Sequence, residues 1–540
     1  MKIARPQPQI SRRSFLATSA GLIAAPSILR AAVPGPKWVS DPFSLGVGAG
    51  SPSSDGFVLW TRLAPEPENY DPAMPAGMVG GPVPVSYEIA EDPGLKTIVK
   101  RGKAIADPDY AYSVHAEIGG LRPARPYWYR FTSGSAVSAT GRATTLPAPQ
   151  STPGRLNFGF VSCSDYEHGY FSAYRHLAEE QPDVVLFLGD YIYEYVDMRP
   201  MGLDGGRPAN LVRRHSENAE ARTLPGYRNR YAQYRLDPDL RKLHAETTCI
   251  VTWDDHEVQN DYANQASQDF DDPATFLLRR AAAYRAFYEH MPLRPRSHPD
   301  GAMMRLYDRY RFGDLAEISM LDGRQYRSRE ACYAPPKNGG GHLETNASCP
   351  ERLDPARSMI GTAQETWLYD GLAQSRARWN VIAQDVMMAE FRQRNAAGET
   401  AFWTDDWNGY PQNRARLLQH INDSRVSNPV VIGGDIHSFW TNDLKLDFAD
   451  AASPAVATEF VGGSITSHAP SYDVFAKDLP ANPHVKFFDS RVHGYVSVTL
   501  ERGRMETRFR AVSDATDPNA GISTLKSFVV ETGKAGAQAA

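Results

Sequence analysis

The chain has 540 residues, 42% hydrophobic and 22% charged, with a formal net charge of -5. That length exceeds what one hydrophobic core usually organises, so two domains are expected in a globular protein. The slightly acidic balance gives no reason to expect a nucleic-acid partner or an anionic membrane surface.

Near the N-terminus, Ser11-Arg12-Arg13-Ser14-Phe15-Leu16 is a twin-arginine pattern, followed by a weakly apolar stretch over 17–29 and then Arg30-Ala31-Ala32-Val33. The stretch is too short to span a bilayer as a mature helix, so residues 1–33 are expected to be a cleaved export signal. The implied partner is the twin-arginine export machinery, which carries folded proteins, and the implied location is periplasmic or extracellular. No later segment approaches about 18 uninterrupted apolar residues, so no stable membrane insertion is expected.

Residues 40–146 are expected to form an all-β unit. Segments 57–62, 83–89, 113–118 and 127–131 have strand character, with Gly and Pro turns at short intervals. That rhythm suggests an immunoglobulin-like β-sandwich, and Leu121-Arg122-Pro123 ahead of Tyr127 fits the turn into a late sandwich strand. The Pro-rich segment 146–153 is a stiff linker.

From 154 to 515 the pattern changes to short apolar strands alternating with helices. Buried strands are expected at 184–188, 318–321 and 430–432, and helices at 276–290 and 364–378. This alternation implies a layered α/β domain. Residues 202–226, polar and rich in Arg and Gly, are expected to form a loop over the site, and 516–540 a C-terminal tail.

Of four cysteines, Cys332 and Cys349 bracket a Gly-rich loop and can form a disulfide in an oxidising compartment, although spacing alone does not decide it. Cys249 lies in an apolar strand and is expected to pack in the core. Cys163 differs from these, because it ends the run Phe160-Val161-Ser162-Cys163.

Three further runs end an apolar strand in metal-binding residues: Leu188-Gly189-Asp190-Tyr191-Ile192-Tyr193, Thr252-Trp253-Asp254-Asp255-His256-Glu257 and Ile432-Gly433-Gly434-Asp435-Ile436-His437. In open α/β sheets, sites collect at the carboxyl ends of strands. Asp190 can bridge two cations there, and Tyr193 can add a phenolate suited to a ferric ion. Asp255 and Asn260 are alternative oxygen ligands for a second, harder cation, and His256 can supply a proton to a leaving group. Asp435 and His437, two apart, would face one cluster if the backbone were extended, with Gly433 and Gly434 allowing close approach. Together the runs point to a binuclear centre that hydrolyses a phosphate ester.

As a set they resemble the PhoD-like alkaline phosphatases, a branch of the metallophosphoesterases related in its centre to the purple acid phosphatases. The resemblance covers nearly the whole mature chain and extends to Ser44-Leu45-Gly46-Val47, Asp55-Gly56-Phe57-Val58-Leu59-Trp60-Thr61-Arg62-Leu63, Gln384-Asp385-Val386-Met387-Met388, Trp407-Asn408-Gly409-Tyr410 and His493-Gly494-Tyr495. It implies a metallophosphoesterase-type β-sandwich flanked by helices, preceded by the immunoglobulin-like domain. It implies Fe(III) held by Cys163, Asp190, Tyr193 and His437, and Ca2+ held by Asp190, Asp435 and either Asp255 or Asn260. Gln384 stands where the usual metallophosphoesterase pattern has a further histidine, which leaves the second position oxygen-rich and suited to calcium.

The expected reaction is in-line attack of a metal-bound hydroxide on a phosphate ester, with His256 as proton donor and His493 as a substrate contact. Two rival readings are a phosphodiesterase or phospholipase D-like enzyme acting on lipid or teichoic-acid diesters, and a non-catalytic exported surface-binding protein.

Overall fold

The first part of the computed structural model has eight strands, β1 (Val47–Ser53), β2 (Gly56–Arg62), β3 (Val83–Ala90), β4 (Ile98–Ala106), β5 (Ser113–Ile118), β6 (Pro126–Ser133), β7 (Ala136–Val137) and β8 (Gly141–Thr144), of which β1 and β2 are almost wholly buried and β4 and β6 alternate in burial. The structure describes residues 36–71, 73–196, 211–334 and 339–540; the expected export signal and positions 202–210 lie outside the described residues. Strands β3, β4, β6, β7 and β8 make one sheet and β1, β2 and β5 face it. Inward residues such as Leu59, Val85, Ile89, Val114, Tyr129 and Phe131 fill the space between them. The Tyr127 hydroxyl accepts the backbone N–H of Arg122 at 2.9 Å, the tyrosine corner of immunoglobulin-like sandwiches.

The α/β part begins with β9 (Arg155–Val161), α1 (Ser172–Glu179), β10 (Val184–Leu188), α2 (Leu224–Arg235), α3 (Pro238–Glu246), β11 (Thr248–Thr252) and α4 (Pro273–His290). Strands β9, β10 and β11 are parallel neighbours, and the five residues of β10 and of β11 are all buried, as covered parallel strands require. Asp237 and Asp272 cap α3 and α4 ahead of prolines at the first helical position. The expected loop 202–226 is shorter than anticipated: Leu224 to Gly226 form the first turn of α2, whose cap is Thr223.

A second run supplies β12 (Asp308–Phe312), β13 (Ala316–Met320), β14 (Leu343–Glu344), α5 (Thr362–Gln374), β15 (Trp379–Ala383), β16 (Gln393–Arg394), β17 (Thr400–Trp403), α6 (Pro411–Asp423), β18 (Pro429–Gly433), β19 (Phe439–Lys445), β20 (Ala455–Val461), α7 (Tyr472–Ala476) and β21 (Val485–Asp489). The chain closes with β22 (Gly494–Glu501), β23 (Arg504–Val512), β24 (Ile522–Glu531) and β25 (Gln538–Ala539). The expected tail over 516–540 is therefore corrected: β24 pairs with β23 along nine registered positions, and Phe528 and Val530 point into the core between sheets.

Two large sheets result. A ten-stranded sheet runs β25-β24-β23-β22-β9-β10-β11-β1-β2-β5, and a seven-stranded sheet runs β12-β13-β15-β18-β20-β19-β21. They pack through Phe158, Leu186, Ile250, Ile318, Val381 and Val430, among others. Helices α1 to α4 cover the outer face of the first sheet, and α5 and α6 that of the second. The sandwich flanked by helices is thus as expected. The N-terminal sandwich shares a sheet with it, because β1 pairs in parallel with β11.

Candidate metal centre

Strands β9, β10 and β11 of one sheet, and β13, β15 and β18 of the other, are parallel within their sheets. Their carboxyl ends release the loops that carry Cys163, Asp190, Asp254, Asp322, Asp385 and Asp435. The edges are tied together: Thr252 Oγ1 donates to the Leu321 carbonyl at 2.8 Å, and the Trp253 indole donates to Asp322 at 2.7 Å.

The turns that present these groups are tight. Cys163, Asp190, Asp435 and His437 all have positive φ, between 52° and 67°. Non-glycine residues in that region are held there against a steric preference, as is common at functional sites. A side chain on Gly189 would meet Asp254 Cβ at 2.4 Å, so only glycine lets the two loops approach.

Three overlapping groups of donors form. Cys163, Asp190 and His437 each bring a ligand atom within 4.8 Å of the others, as do Asp190, Asp255 and His256, and Asp254, Asp255 and Asp435. The Tyr193 hydroxyl donates to Asp190 Oδ2 at 3.0 Å and stands 3.1 Å from His437 Nε2, so it joins the first group. His437 Nδ1 lies 2.8 Å from the His468 carbonyl, a bond that needs the proton on Nδ1 and leaves the lone pair of Nε2 for the centre.

The expected geometry of Asp435 and His437 is corrected here. The backbone between them is not extended; both have positive φ, and they go to different donor groups, His437 beside Cys163 and Asp435 beside Asp254. Of Asp255 and Asn260, the structure brings Asp255 into the carboxylate groups, while the Asn260 side-chain nitrogen donates to Gln268 at 2.9 Å. Gln384 is engaged elsewhere, accepting from the Trp407 indole at 2.9 Å and donating to the Val386 carbonyl. His493 Nδ1 lies 2.8 Å from Ser464 Oγ, and burial pushes its pKa down to about 3.

The electrostatics show what this donor set lacks. Burial, reinforced by Asp190 and Asp435, pushes the Cys163 thiol well up. Burial and the neighbouring acids Asp255 and Asp254 do the same to Asp190, against the pull of His256. Buried oxygens of Asp254 and Asp385 have no hydrogen-bond partner. Packing acids, a thiol and a phenol out of water is costly unless cations offset them, so these residues fit a multinuclear metal site. Burial alone would lower His256, but Asp255, Glu194 and Asp190 hold it well above the ordinary histidine range.

Comparison with known proteins agrees with this chemistry. Residues 158–509 match the model of the PhoD-like phosphatases, and 30–147 match that of the PhoD-like phosphatase N-terminal domain. The chain belongs to the PhoD-like phosphatase family. It is 42% identical over 504 residues to alkaline phosphatase D of Bacillus subtilis strain 168, covering 93% of this chain and 83% of that one. It superposes on a solved structure of PhoD with a TM-score of 0.86 at 41% identity, over 93% of each chain.

Within this PhoD-like phosphatase, several buried groups that sequence reasoning missed support the centre. Glu194 accepts from His256 Nδ1 at 2.7 Å and from the Asn260 N–H at 2.8 Å, fixing the imidazole and the following turn. Glu257 accepts backbone N–H groups from Asp190, Tyr191 and Asp254. Arg324, with a fully buried side chain, contacts Asp254, Asp405 and Asp435. The run Asp254-Asp255-His256-Glu257 carried the signal for Glu257; nothing local marks Arg324, which follows a strand without a ligand at its end. Cys332 and Cys349 are bonded, and Cys249 is buried and free.

Proposed function

We propose that this phosphatase is exported and hydrolyses phosphate esters at an Fe(III)/Ca2+ centre. The observation that carries the reading is the meeting of Cys163, Asp190, Tyr193 and His437 at one point, with an all-carboxylate group, Asp254, Asp255 and Asp435, beside it. A thiol, a phenol and an imidazole suit a ferric ion, whereas an all-oxygen set suits calcium. Asp190 belongs to the first group and to a second with Asp255 and His256, so it is the carboxylate that would be shared between two cations. When bound, such cations activate water and neutralise charge on the phosphoryl oxygens.

The chain's own residues do the rest. His437 is held in one tautomer by the His468 carbonyl. His256, charged among carboxylates and stacked on the Tyr193 ring at 4.1 Å, delivers a proton to the leaving oxygen from Nε2. Glu194 holds the opposite nitrogen and so aims that proton. The twin-arginine run supports export, and among the described residues no helix is long and apolar enough to cross a membrane.

The test is elemental analysis of protein purified from an exporting host, with turnover measured on an aryl phosphate monoester and on a bis-aryl diester. Iron and calcium with hydrolysis of the monoester is the expected result. Hydrolysis confined to the diester would move the reading to a phosphodiesterase, and zinc or manganese in place of iron would overturn the metal assignment.

A further inference from the structure

Arg324 follows β13, yet it reaches carboxylates from three other loops. Its Nε pairs with Asp254 after β11, Nη1 with Asp405 after β17 at 2.7 Å, and Nη2 with Asp435 after β18 at 3.2 Å. Asp255 and Asp385 stand slightly farther away, at 3.8 Å and 3.9 Å. The Arg324 side chain is wholly buried, as are those of Asp254 and Asp405, whereas Asp435 is partly exposed. A planar guanidinium with a fixed fork can address three carboxylates at once; a flexible ammonium cannot do so with the same geometry.

The contacts are one-sided. Asp254, Asp255 and Asp435 form the all-oxygen donor group, and Arg324 touches all three. It makes no ion pair with Asp190 at the end that holds Cys163 and His437. Asp254 shows how its two oxygens divide: Oδ1 is taken by Arg324, and Oδ2 is buried without a hydrogen-bond partner. One oxygen faces the resident guanidinium and the other is left for an added cation.

We propose that Arg324 is a positioning residue that acts as the permanent cation of the all-oxygen end, holding the Asp254, Asp405 and Asp435 loops together when that end has no metal. The inference rests on the metal-centre reading above and deepens it. An oxygen-only set binds its cation more loosely than a set containing thiolate and phenolate, so this end loses metal first. Without an internal cation the three loops would then repel one another, and Asp254, whose Oδ1 bonds Arg324 and whose Oδ2 has no hydrogen-bond partner, would be left buried and unpaired. Arg327 backs the arrangement by sharing the same Asp405 oxygen at 2.7 Å.

The test compares melting of the full chain in EDTA with melting in calcium chloride, for wild type, Arg324→Met, Arg324→Lys and the double variant Arg324→Met/Asp254→Asn. In EDTA, Arg324→Met should melt roughly 3–5 °C below wild type. Calcium should return more than half of that loss while raising wild type much less. The double variant should regain part of the loss in EDTA, because it deletes the carboxylate left unpaired. If Arg324→Met does not fold, the calcium response of Arg324→Lys, which keeps the charge and loses the fork, is read against wild type and should be the larger. Equal calcium responses, or a chelated variant within about 1 °C of wild type, would overturn the proposal. Failure of the metal-centre reading shows separately, as a purified wild type without iron and calcium.

Discussion

Glu257 Oε2 accepts the backbone N–H of Asp190 at 3.2 Å, so a residue beyond β11 sets the backbone of the loop beyond β10. The same oxygen accepts the Asp254 N–H at 2.9 Å. One buried carboxylate thereby fixes the spacing of two site loops. Glu257→Gln replaces one acceptor with a donor that faces N–H groups. It should cost about 2–4 kcal/mol in urea unfolding and lower bound iron in elemental analysis. An unchanged unfolding midpoint would show that the loops hold their spacing without it.

Asp190 and Tyr193 test the iron assignment from two directions. Asp190→Asn should lose both iron and calcium, with turnover falling by roughly 10²–10³. Tyr193→Phe should keep the fold and lose the visible absorption of a ferric phenolate. Persistence of that colour would assign the phenolate to another tyrosine.

Glu194 acts on the reaction through His256. Glu194→Gln should reduce kcat by about 10–100-fold with KM nearly unchanged, and metal content should stay at the wild-type level. A matching loss of metal would instead make Glu194 a support of the ligand loops.

Stability should fall on acidification for a reason remote from the centre. His484 is buried, donates Nε2–H to the Glu390 carbonyl at 2.6 Å, and has no partner at Nδ1. Burial pushes its pKa down to about 4 from the ordinary 6.5. The unfolded chain therefore binds the proton first. The contribution is complete above pH 6.5 and is lost as pH falls from there toward 4, amounting to about 3 kcal/mol. Thermal melts at pH 7, 5.5 and 4.5 should show a steeper decline for wild type than for His484→Gln.

Much of the centre was legible because its donors end short apolar strands. Val184 to Leu188 emerges as a buried strand with the bounds expected, and the residues two and five positions beyond it, Asp190 and Tyr193, meet Cys163 and His437. What sequence could not give was the turn conformation. The alternation expected for Asp435 and His437 fails because both adopt positive φ, which a reading of side-chain types does not encode. Nor does the sequence separate Asp255 from Asn260, since a loop of mixed polar residues does not announce that Asp255 is buried and Asn260 only partly so. The C-terminal strand was missed for another reason: β24 alternates only weakly, with Phe528 and Val530 its main buried residues.

The pairing of β1 with β11 aligns Ala49 with Thr248 and Gly50 with Cys249, and a side chain on Gly50 would collide with Pro292 and the Cys249 carbonyl. The phosphatase therefore cannot be trimmed back to its α/β part. A gene truncated at the Pro-rich segment would leave a naked strand edge beside the Asp254 loop, an invitation to aggregate. Recombination that swaps the N-terminal part for a foreign sandwich must carry a strand that matches the edge of β11.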